Sequence, residues 1–357
     1  MENSNRSAFQ HRRSILSLIH IYRFNRNKVA DLTNQRQNNS EKSRKRGEFN
    51  LYAVIDIGSN TIRLVLYKIE NNQIKSLLNK KSPAGLAGYI NKDRCLKKSG
   101  IRKAVAVLSE FKEILDHMTI QEVFPFATAS LRNINNAPEV LEAIRENCGF
   151  EVRILSGEEE AIFDYYGALQ AMEMDKGLLT DIGGGSTELV FYQDHAIQRA
   201  TSLPMGSLNL YQQYVKNHLI AKKSELQQIQ KEVRKKLQEL PPQKAVISDL
   251  CAIGGSARAA MQMVQAVSKK KKEQPLPYYD PACLKAILDS ACDTPDIFIK
   301  QLLKTAPDRI HTFLPGITVL YTIAEFYNIS RITTINYGVR EGYLYYLLEQ
   351  RGKIHGR

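Results

Sequence analysis

Two short glycine-rich segments are the first candidates for chemistry in this sequence. Each one joins two strand-like runs. Glycine permits the positive φ angles of a tight turn and lets backbone N–H groups approach an oxyanion that larger side chains would obstruct. We predict that both loops bind phosphate and face each other across a cleft between two domains. The candidate phosphate-binding residues are Gly58, Ser59, Asn60 and Thr61 in one loop and Gly183, Gly184, Gly185, Ser186 and Thr187 in the other.

Three carboxylates accompany these loops. Asp56 and Asp181 each lie two residues before the first glycine of a loop, and Glu188 directly follows the second loop. A carboxylate next to a phosphate only repels it unless a cation is present, so all three are candidate ligands of Mg²⁺ or Mn²⁺. Glu188 is alternatively a group that orients water. The competing interpretation is that each aspartate caps its own turn through its side chain.

The two loops belong to an internal repeat with an offset of 125 positions. Residues 56–67 align without gaps to residues 181–192, and six of the twelve positions are identical. Two unrelated strand pairs could share apolar positions, but the identical Asp-Ile-Gly at each turn disfavours that explanation. The repeat predicts two similar α/β halves, each beginning with a β-hairpin.

The hydrophobic pattern supplies the remaining elements and the domain organisation. We predict an N-terminal extension over 1–49, a first domain over 50–163 and a second over 164–352, with the closing helix packed alternatively against the first domain. Strands are predicted over 123–127, 151–155, 246–253 and 332–335, and helices over 101–117, 138–147, 158–172, 222–239, 257–267 and 339–349.

Composition and charge exclude several classes of protein. The 357 residues are 43% hydrophobic and 24% charged, which is typical of a globular protein. No apolar run approaches the roughly 18 residues that a membrane helix needs. The five cysteines form no C-x-x-C pair, so neither a disulfide framework nor a zinc site is indicated, and a cytoplasmic location is expected.

The net charge of +13 is concentrated at one end of the chain. Residues 1–50 contain eleven Lys/Arg and four Asp/Glu. We interpret this tail as a disordered extension or as the product of a start codon placed too early; the alternative is an arm that binds RNA or another polyanion. Four lysines at 269–272 are expected to form a solvated loop.

Taken together, the hairpins and five further segments resemble the exopolyphosphatase/guanosine pentaphosphate phosphohydrolase (Ppx/GppA) family of the actin-like superfamily. The resemblance covers about residues 51–350 and implies two actin-like (ribonuclease H-like) α/β domains with a phosphate-binding cleft between them. The further segments occur in the expected order at 127–133, 156–161, 254–256, 314–316 and 338–342.

The resemblance implies that Glu160 is the catalytic base, with Glu159 as the second choice. Three successive carboxylates at a helix start cannot all be well paired, so one that faces the cleft could have a raised pKa. Alternatively, all three simply favour the positive end of the helix. Arg132 matches a family arginine and could neutralise substrate charge, although a surface salt bridge is the competing explanation. The resemblance also assigns Asp181, Glu188 and Asp56 to Mg²⁺.

The implied activity is Mg²⁺-dependent release of terminal phosphate from inorganic polyphosphate, from guanosine pentaphosphate, or from both, by a homodimer. Two alternatives stay open. One is a kinase or ATPase of the same superfamily, for which 254–256 would be a partial adenosine-binding segment, and the other is an alarmone sensor without turnover. Two departures from the family pattern are expected to matter. The loop at 83–88 is altered, and the chain lacks the added C-terminal region of longer relatives, which suggests shorter substrate chains or lower processivity.

Overall fold

The computed structural model describes residues 50–216, 219–243, 245–268 and 278–354. The predictions for the basic extension at 1–49 and for the lysines at 269–272 lie outside the described residues. Among the described residues, no helix has both the length and the apolar character needed to cross a membrane.

The first half of the described chain contains five strands and four α-helices. The strands are β1 (Leu51–Ile57), β2 (Thr61–Glu70), β3 (Gln73–Pro83), β4 (Glu122–Ala127) and β5 (Arg153–Ile154). The helices are α1 (Lys98–Asp116), α2 (Ala129–Arg132), α3 (Ala137–Cys148) and α4 (Gly157–Leu169), with a 3-10 turn at Leu86–Tyr89.

The second half repeats this order with additions. Its strands are β6 (Gly177–Ile182), β7 (Thr187–Gln193), β8 (Ala196–Leu203), β9 (Asp249–Ile253), β10 (Tyr278–Tyr279) and β11 (Arg331–Thr334). Its helices are α5 (Ser207–Tyr214), α6 (Lys223–Gln238), α7 (Gly254–Val267), α8 (Ala282–Asp293), α9 (Pro295–Thr305), α10 (Phe313–Phe326) and α11 (Val339–Gln350), with a 3-10 turn at Pro307–Arg309.

The two sheets have equivalent topologies. The first has the strand order β3-β2-β1-β4-β5, and the second has β10-β11-β9-β6-β7-β8. In each sheet an antiparallel three-stranded meander is followed by two parallel strands, so β1, β2, β3, β4 and β5 correspond to β6, β7, β8, β9 and β11. The pairing register shifts between Leu66 and Tyr67 in β2 and between Phe191 and Tyr192 in β7. Because these bulges are also 125 positions apart, the repeat extends to a local irregularity.

Each half has its own hydrophobic core. In the first half, α1 buries Ile101, Leu108, Phe111 and Leu115 against the sheet, a spacing that places them on one helical face. In the second half, α6, α7 and α10 cover strands β6, β7 and β9. Since each sheet has a separate helical covering, each half buries its apolar face independently.

Helices α4 and α11 pack along each other between the two halves. α4 follows the last strand of the first sheet, and α11 follows β11 of the second. The helices approach closely because two contact positions are glycines: a Cβ at Gly167 would lie 2.2 Å from the Gly338 carbonyl oxygen, and a Cβ at Gly342 would lie 1.8 Å from that of Phe163. The closing helix therefore contacts the last helix of the first half.

The predicted elements are present, and two of the four separately predicted strands are shorter than expected. The strand predicted over 151–155 covers only Arg153–Ile154, and the one predicted over 246–253 begins at Asp249. Strands β3 and β8 were not predicted. They carry polar residues on exposed positions at or near a sheet edge, so they lack the apolar pattern of the central strands.

Candidate active site

The two glycine loops face each other. A Cβ at Gly184 would lie 3.7 Å from the Ser59 Cβ, and a Cβ at Gly185 would lie 3.0 Å from the Ser59 Oγ. Each loop connects the central strand of its sheet to the next strand of the hairpin. The structure therefore brings the two predicted phosphate loops together at the carboxyl ends of strands β1 and β6.

Each loop accepts backbone hydrogen bonds from the segment that follows the third strand of its meander. Backbone N–H groups of Ala84 and Gly85 donate to the Asn60 carbonyl at 3.0 and 2.9 Å. In the second half, the N–H groups of Leu208 and Asn209 donate to the Gly184 carbonyl at 3.0 and 3.1 Å. The altered segment at 83–88 thus supports the first loop with its backbone. Because these carbonyl oxygens are occupied, an oxyanion in the cleft would meet N–H and hydroxyl groups of the loops.

Some predicted phosphate ligands have other partners. The N–H groups of Gly58 and Gly183 close their turns by donating to the carbonyls of Thr61 and Ser186, both at 3.0 Å. The hydroxyl of Thr187 is fully buried and donates to the Met205 carbonyl. These three residues shape the loops through groups that the protein itself uses.

The start of α4 separates the roles of two adjacent glutamates. Ser156 and Glu159 form a capping box, in which the Glu159 N–H donates to the Ser156 Oγ and the Ser156 N–H donates to the Glu159 carboxylate. Glu159 also pairs with Arg153, with 2.6 Å between Nη2 and Oε1. Its carboxylate is therefore committed to the helix terminus, which leaves Glu160 as the cleft candidate.

Glu160 pairs with Arg132 of the short helix α2. The Arg132 Nη1 donates to the Glu160 Oε2 and to the Leu155 carbonyl, both at 2.9 Å. The Arg132 side chain is 18% exposed and that of Glu160 is 12% exposed, so this is a largely buried pair and not a surface salt bridge.

The pKa of Glu160 is raised to about 7. Burial is the largest cause, the positive charge of Arg132 opposes it, and the carboxylates of Asp181 and Asp56 add to the increase. A carboxylate with a pKa near neutrality can accept a proton from water more readily than an ordinary one.

Asp181 and Glu188 lie opposite each other on paired strands β6 and β7. Burial raises the pKa of both carboxyl groups; Glu160 and Asp181 raise that of Glu188 further, whereas Arg258 is the main group that lowers that of Asp181. The Ser202 hydroxyl donates to the Glu188 Oε1 at 2.7 Å. The second half therefore contributes a pair of carboxylates close to the Glu160 carboxylate.

A further carboxylate, Asp164, lies one helical turn after Glu160 and was not predicted. It is fully buried, and neither carboxyl oxygen has a hydrogen-bond partner of ordinary geometry among the described residues. Burial and then the charges of Asp181 and Glu188 raise its pKa well above the usual range, while the Val339 backbone N–H favours the charged form.

This concentration of carboxylates fits a divalent cation in part. Within the described residues, no group of three His, Cys, Asp or Glu side chains is arranged to hold a metal ion by itself. Asp181 and Glu188 supply oxygen donors, and Mg²⁺ commonly takes its remaining ligands from substrate phosphates and water. The donor set therefore suits a cation that arrives with a phosphate substrate.

The third predicted ligand, Asp56, has a different partner. The Arg340 Nη1 donates to the Asp56 Oδ2 at 2.9 Å, in a pair whose side chains are 14% and 16% exposed. Arg340 lies on α11, 284 positions away in the chain. Burial works against the charge on Arg340, but the carboxylates of Glu341 and Asp56 together hold the pKa of this guanidinium above its ordinary value.

Three more arginines, which were not predicted from the sequence, lie near these carboxylates. Arg258, Arg309 and Arg63 are each close enough to shift the pKa of a neighbouring site residue, and burial lowers the pKa of all three. With Arg340, they make one side of the cleft strongly basic. This arrangement suits a polyanionic ligand.

A second repeated segment, with an offset of 126 positions, could have revealed Arg258. Ser130 Oγ donates to the Ile57 carbonyl, and Ser256 Oγ donates to the Ile182 carbonyl at 2.9 Å, so the two serines are equivalent with an offset of 126 positions. The same offset relates Arg132 to Arg258. Arg309 has no such signal in the sequence, and Arg340 lies in the family-like segment 338–342, for which no role was predicted.

The glycine pair at the start of α7 makes room for two of these side chains. A Cβ at Gly254, whose φ is +78°, would lie 1.9 Å from the Asp181 Oδ1. A Cβ at Gly255 would lie 1.7 Å from the Arg309 Nη2. The Gly-Gly-Ser segment is thus explained by contacts within the protein and does not require an adenosine ligand.

A cavity of about 230 Å³ adjoins this basic side of the cleft. Its lining includes Arg63, Tyr67, Arg258, Tyr337 and Arg340. A larger cavity of about 360 Å³ lies at the amino-terminal ends of the strands in the second sheet and contains none of the predicted site residues. Ligands of open α/β sheets bind at the carboxyl ends of the strands, and the first cavity reaches that end of β9 and β11 through Arg258 and Tyr337.

The fold defines a protein with two equivalent α/β domains whose glycine loops face each other, the arrangement of the actin-like fold. The family model described as the Ppx/GppA phosphatase family matches residues 65–351. The chain therefore belongs to the Ppx/GppA family.

Solved structures confirm the predicted fold class. The structure of the Aquifex aeolicus member of the Ppx/GppA family has a TM-score of 0.72 and 22% identity, with 87% of this chain and all of that chain covered. The crystal structure of an exopolyphosphatase from Cytophaga hutchinsonii also has a TM-score of 0.72 and 22% identity, with 84% of this chain and 98% of that chain covered.

The sequence is also similar to a protein whose name states an activity. A guanosine-5'-triphosphate,3'-diphosphate pyrophosphatase of Aliivibrio fischeri is 25% identical over 305 residues, which is 84% of this chain. The match covers 60% of that protein's own length.

Proposed function

We propose that this protein is a phosphoanhydride hydrolase that releases terminal orthophosphate from inorganic polyphosphate, or converts guanosine pentaphosphate to the tetraphosphate, with Mg²⁺ or Mn²⁺. The observation that carries the proposal is Glu160, a buried glutamate whose pKa is raised to about 7 in the cleft where the two glycine loops face each other. The names of the similar proteins, an exopolyphosphatase and a guanosine pentaphosphate pyrophosphatase, support this substrate class.

Each group in the site has a role in this proposal. The loop N–H groups and the hydroxyl of Ser59 hold the oxygens of the terminal phosphate, whereas the buried Ser186 hydroxyl hydrogen-bonds to Glu188. Glu160 orients a water molecule and removes its proton, and Arg132 keeps the Glu160 carboxylate in place. The P–O bond to the terminal phosphorus breaks as the water oxygen bonds to it, and the remaining phosphate chain leaves as an oxyanion.

The arginine side of the cleft holds the rest of the substrate. Arg63, Arg258, Arg309 and Arg340 offset the negative charge of the phosphates that precede the scissile bond. A divalent cation bound through Asp181 and Glu188 would neutralise the charge that develops on the phosphate oxygens. Asp56 as a direct metal ligand remains a prediction, since its carboxylate pairs with Arg340.

The test is phosphate release measured side by side from tripolyphosphate, long-chain polyphosphate, guanosine pentaphosphate and ATP. We expect Glu160→Gln to abolish release from the preferred substrate, whereas Glu158→Gln, an exposed position on the same helical turn, keeps it. Full activity of the Glu160→Gln protein would show that the mechanism is wrong. The ranking of the four substrates decides between polyphosphate and alarmone metabolism.

The cellular setting and the assembly state are also part of the proposal. All five cysteines, which lie in the described part of the chain, are unpaired thiols, in keeping with a reducing cytoplasm. The homodimer stays a prediction, and light scattering of the purified protein tests it, with a single monomer peak as the contrary result.

A further inference from the structure

A chain of contacts links the first sheet to the start of α11. Tyr67 on β2 is fully buried, and its hydroxyl donates to the Glu341 Oε1. The other carboxylate oxygen of Glu341 accepts from the Gly338 N–H at 3.0 Å and so caps the first turn of α11. Arg340, next to Glu341, reaches the Asp56 Oδ2. One tyrosine hydroxyl therefore contacts the residue that caps the helix carrying Arg340.

The backbone of β2 places the Tyr67 side chain next to Glu341. Successive strand residues alternate between the two faces of a sheet, so Tyr67 lies on the same face of β2 as Arg63. The register shift beside it leaves one extra residue, Leu77, in the neighbouring strand β3. Burial, and then the charge of Glu341, raises the pKa of the Tyr67 phenol, whereas a contact with the Arg340 side chain lowers it. The hydroxyl stays protonated and acts as the donor to Glu341. The contact is thus a charge-assisted hydrogen bond in a buried setting.

Arg340 has a donor left for a ligand. Its Nη1 is occupied by Asp56, but its Nε is buried and has no hydrogen-bond partner among the described residues. The cavity of about 230 Å³ is lined by Arg340, Glu341 and Tyr67 together with Arg63 and Arg258. A buried donor left unpaired carries a free-energy cost, which an oxyanion in this cavity would remove.

We propose that Tyr67 is a positioning residue for substrate binding: through Glu341 it holds the first turn of α11 so that Arg340 faces both Asp56 and the phosphates of the substrate. Tyr67 acts through Arg340 and not by contact with the reacting atoms. This inference rests on the proposed function for the direction of its effect on KM. Its structural part, the coupling between Tyr67 and Arg340, does not need a substrate.

The internal repeat supplies a matched control. Tyr192 lies 125 positions after Tyr67, adjoins the equivalent register shift between β7 and β8, and is also buried, at 5% exposure. It lines the distant cavity at the opposite ends of the strands of the second sheet. Tyr67→Phe and Tyr192→Phe therefore each remove one hydroxyl from equivalent strand positions, and only the first removes a contact with α11.

The experiment measures kcat and KM for tripolyphosphate with wild type, Tyr67→Phe and Tyr192→Phe. We expect Tyr67→Phe to raise KM about tenfold, because misplacement of Arg340 weakens ground-state and transition-state binding equally, with kcat within about twofold. Tyr192→Phe should leave KM unchanged. In an Arg340→Met background, Tyr67→Phe should have no further effect on KM.

A parallel cycle in urea unfolding tests the coupling without any substrate. Tyr67→Phe should lower the midpoint of wild type more than that of Arg340→Met, and Glu341→Gln should behave like Tyr67→Phe. Equal KM values for wild type and Tyr67→Phe would overturn the inference, as would equal effects of Tyr67→Phe in both backgrounds. A wild type that releases no phosphate would instead contradict the proposed function, and the unfolding cycle would still decide the role of Tyr67.

Discussion

Replacing Arg132 by methionine tests whether the Arg132–Glu160 pair sets the pH dependence of the enzyme. Arg132 is the main group that holds the pKa of Glu160 down to about 7 against the effect of burial. A hydrogen bond to a charged group contributes about 1.5 to 3 kcal/mol, and about 1.4 kcal/mol corresponds to one pKa unit. The Met variant should therefore have a Glu160 pKa of about 8 to 9.

The sign of the effect follows from the role of Glu160. A general base works when deprotonated, so kcat/KM falls as the pH drops through the pKa. At pH 7 about half of the wild-type Glu160 is deprotonated, against about 1 to 10% in the variant, which predicts a loss of about 5- to 50-fold. Near pH 9.5 Glu160 is largely deprotonated in both proteins, so most of the loss that protonation causes should disappear.

The assay is the pH profile of kcat/KM for the preferred substrate between pH 5.5 and pH 10. Arg153→Met is the control, because Arg153 pairs with Glu159 on the same helical turn and its loss should leave the inflection near pH 7. Loss of a direct contact between Arg132 and substrate would lower the whole profile without moving its inflection. An inflection that stays near 7 or moves to lower pH in Arg132→Met would refute the reasoning.

Three further predictions concern stability and the metal. The pKa of Glu160 rises from 4.5 to about 7 on folding, so the stability that this group contributes is full below pH 4.5 and is lost as the pH rises to 7. In urea unfolding, Glu160→Gln should therefore gain up to about 3 kcal/mol relative to wild type between pH 4.5 and 7.5, and a constant difference would contradict this. Gly254→Ala should lower phosphate release at least about tenfold, because the added Cβ would clash with the Asp181 carboxylate. The control is Gly149→Ala, where φ is also positive but the added Cβ meets open space; it should cost about 1 to 2 kcal/mol of stability and leave activity unchanged. Asp181→Asn should raise the Mg²⁺ concentration needed for half-maximal rate, and an unchanged Mg²⁺ dependence would remove Asp181 from the metal site.

Local features of the site were predictable because their causes are local. The glycine loops follow from the need for tight turns, and the repeat follows from matching residues at one offset. The cap at Ser156 and Glu159 is visible as a Ser-x-x-Glu pattern before an apolar run, and it already indicates that Glu159 serves the helix terminus. Arg258 could have been found by extending the repeat to the segment that begins at Ala127.

Partners that are distant in the chain were not predictable in the same way. Asp56 was expected to bind a metal ion, but α11 brings Arg340 to it from 284 positions away. Arg309 reaches the cleft from a 3-10 turn with no recognisable motif, and the polar residue Asp164 lies in a helix that is otherwise nearly all buried. Each of these placements depends on how helices and sheets pack, which no short segment specifies.

The sequence by itself determined the two α/β halves, the facing loops and the glutamate that matches the family motif. Tertiary structure decided the long-range pairs of Glu160 and Asp56, the burial of Asp164, and the direction in which the pKa of each buried carboxyl group is shifted. The physical reason is that turns and helix caps are stabilised within a few residues, whereas burial and charge pairing act through space. The local cap occupies Glu159, whereas the pKa of Glu160 is raised because the packing of α4 buries its carboxylate beside Arg132 and close to Asp181 and Asp56.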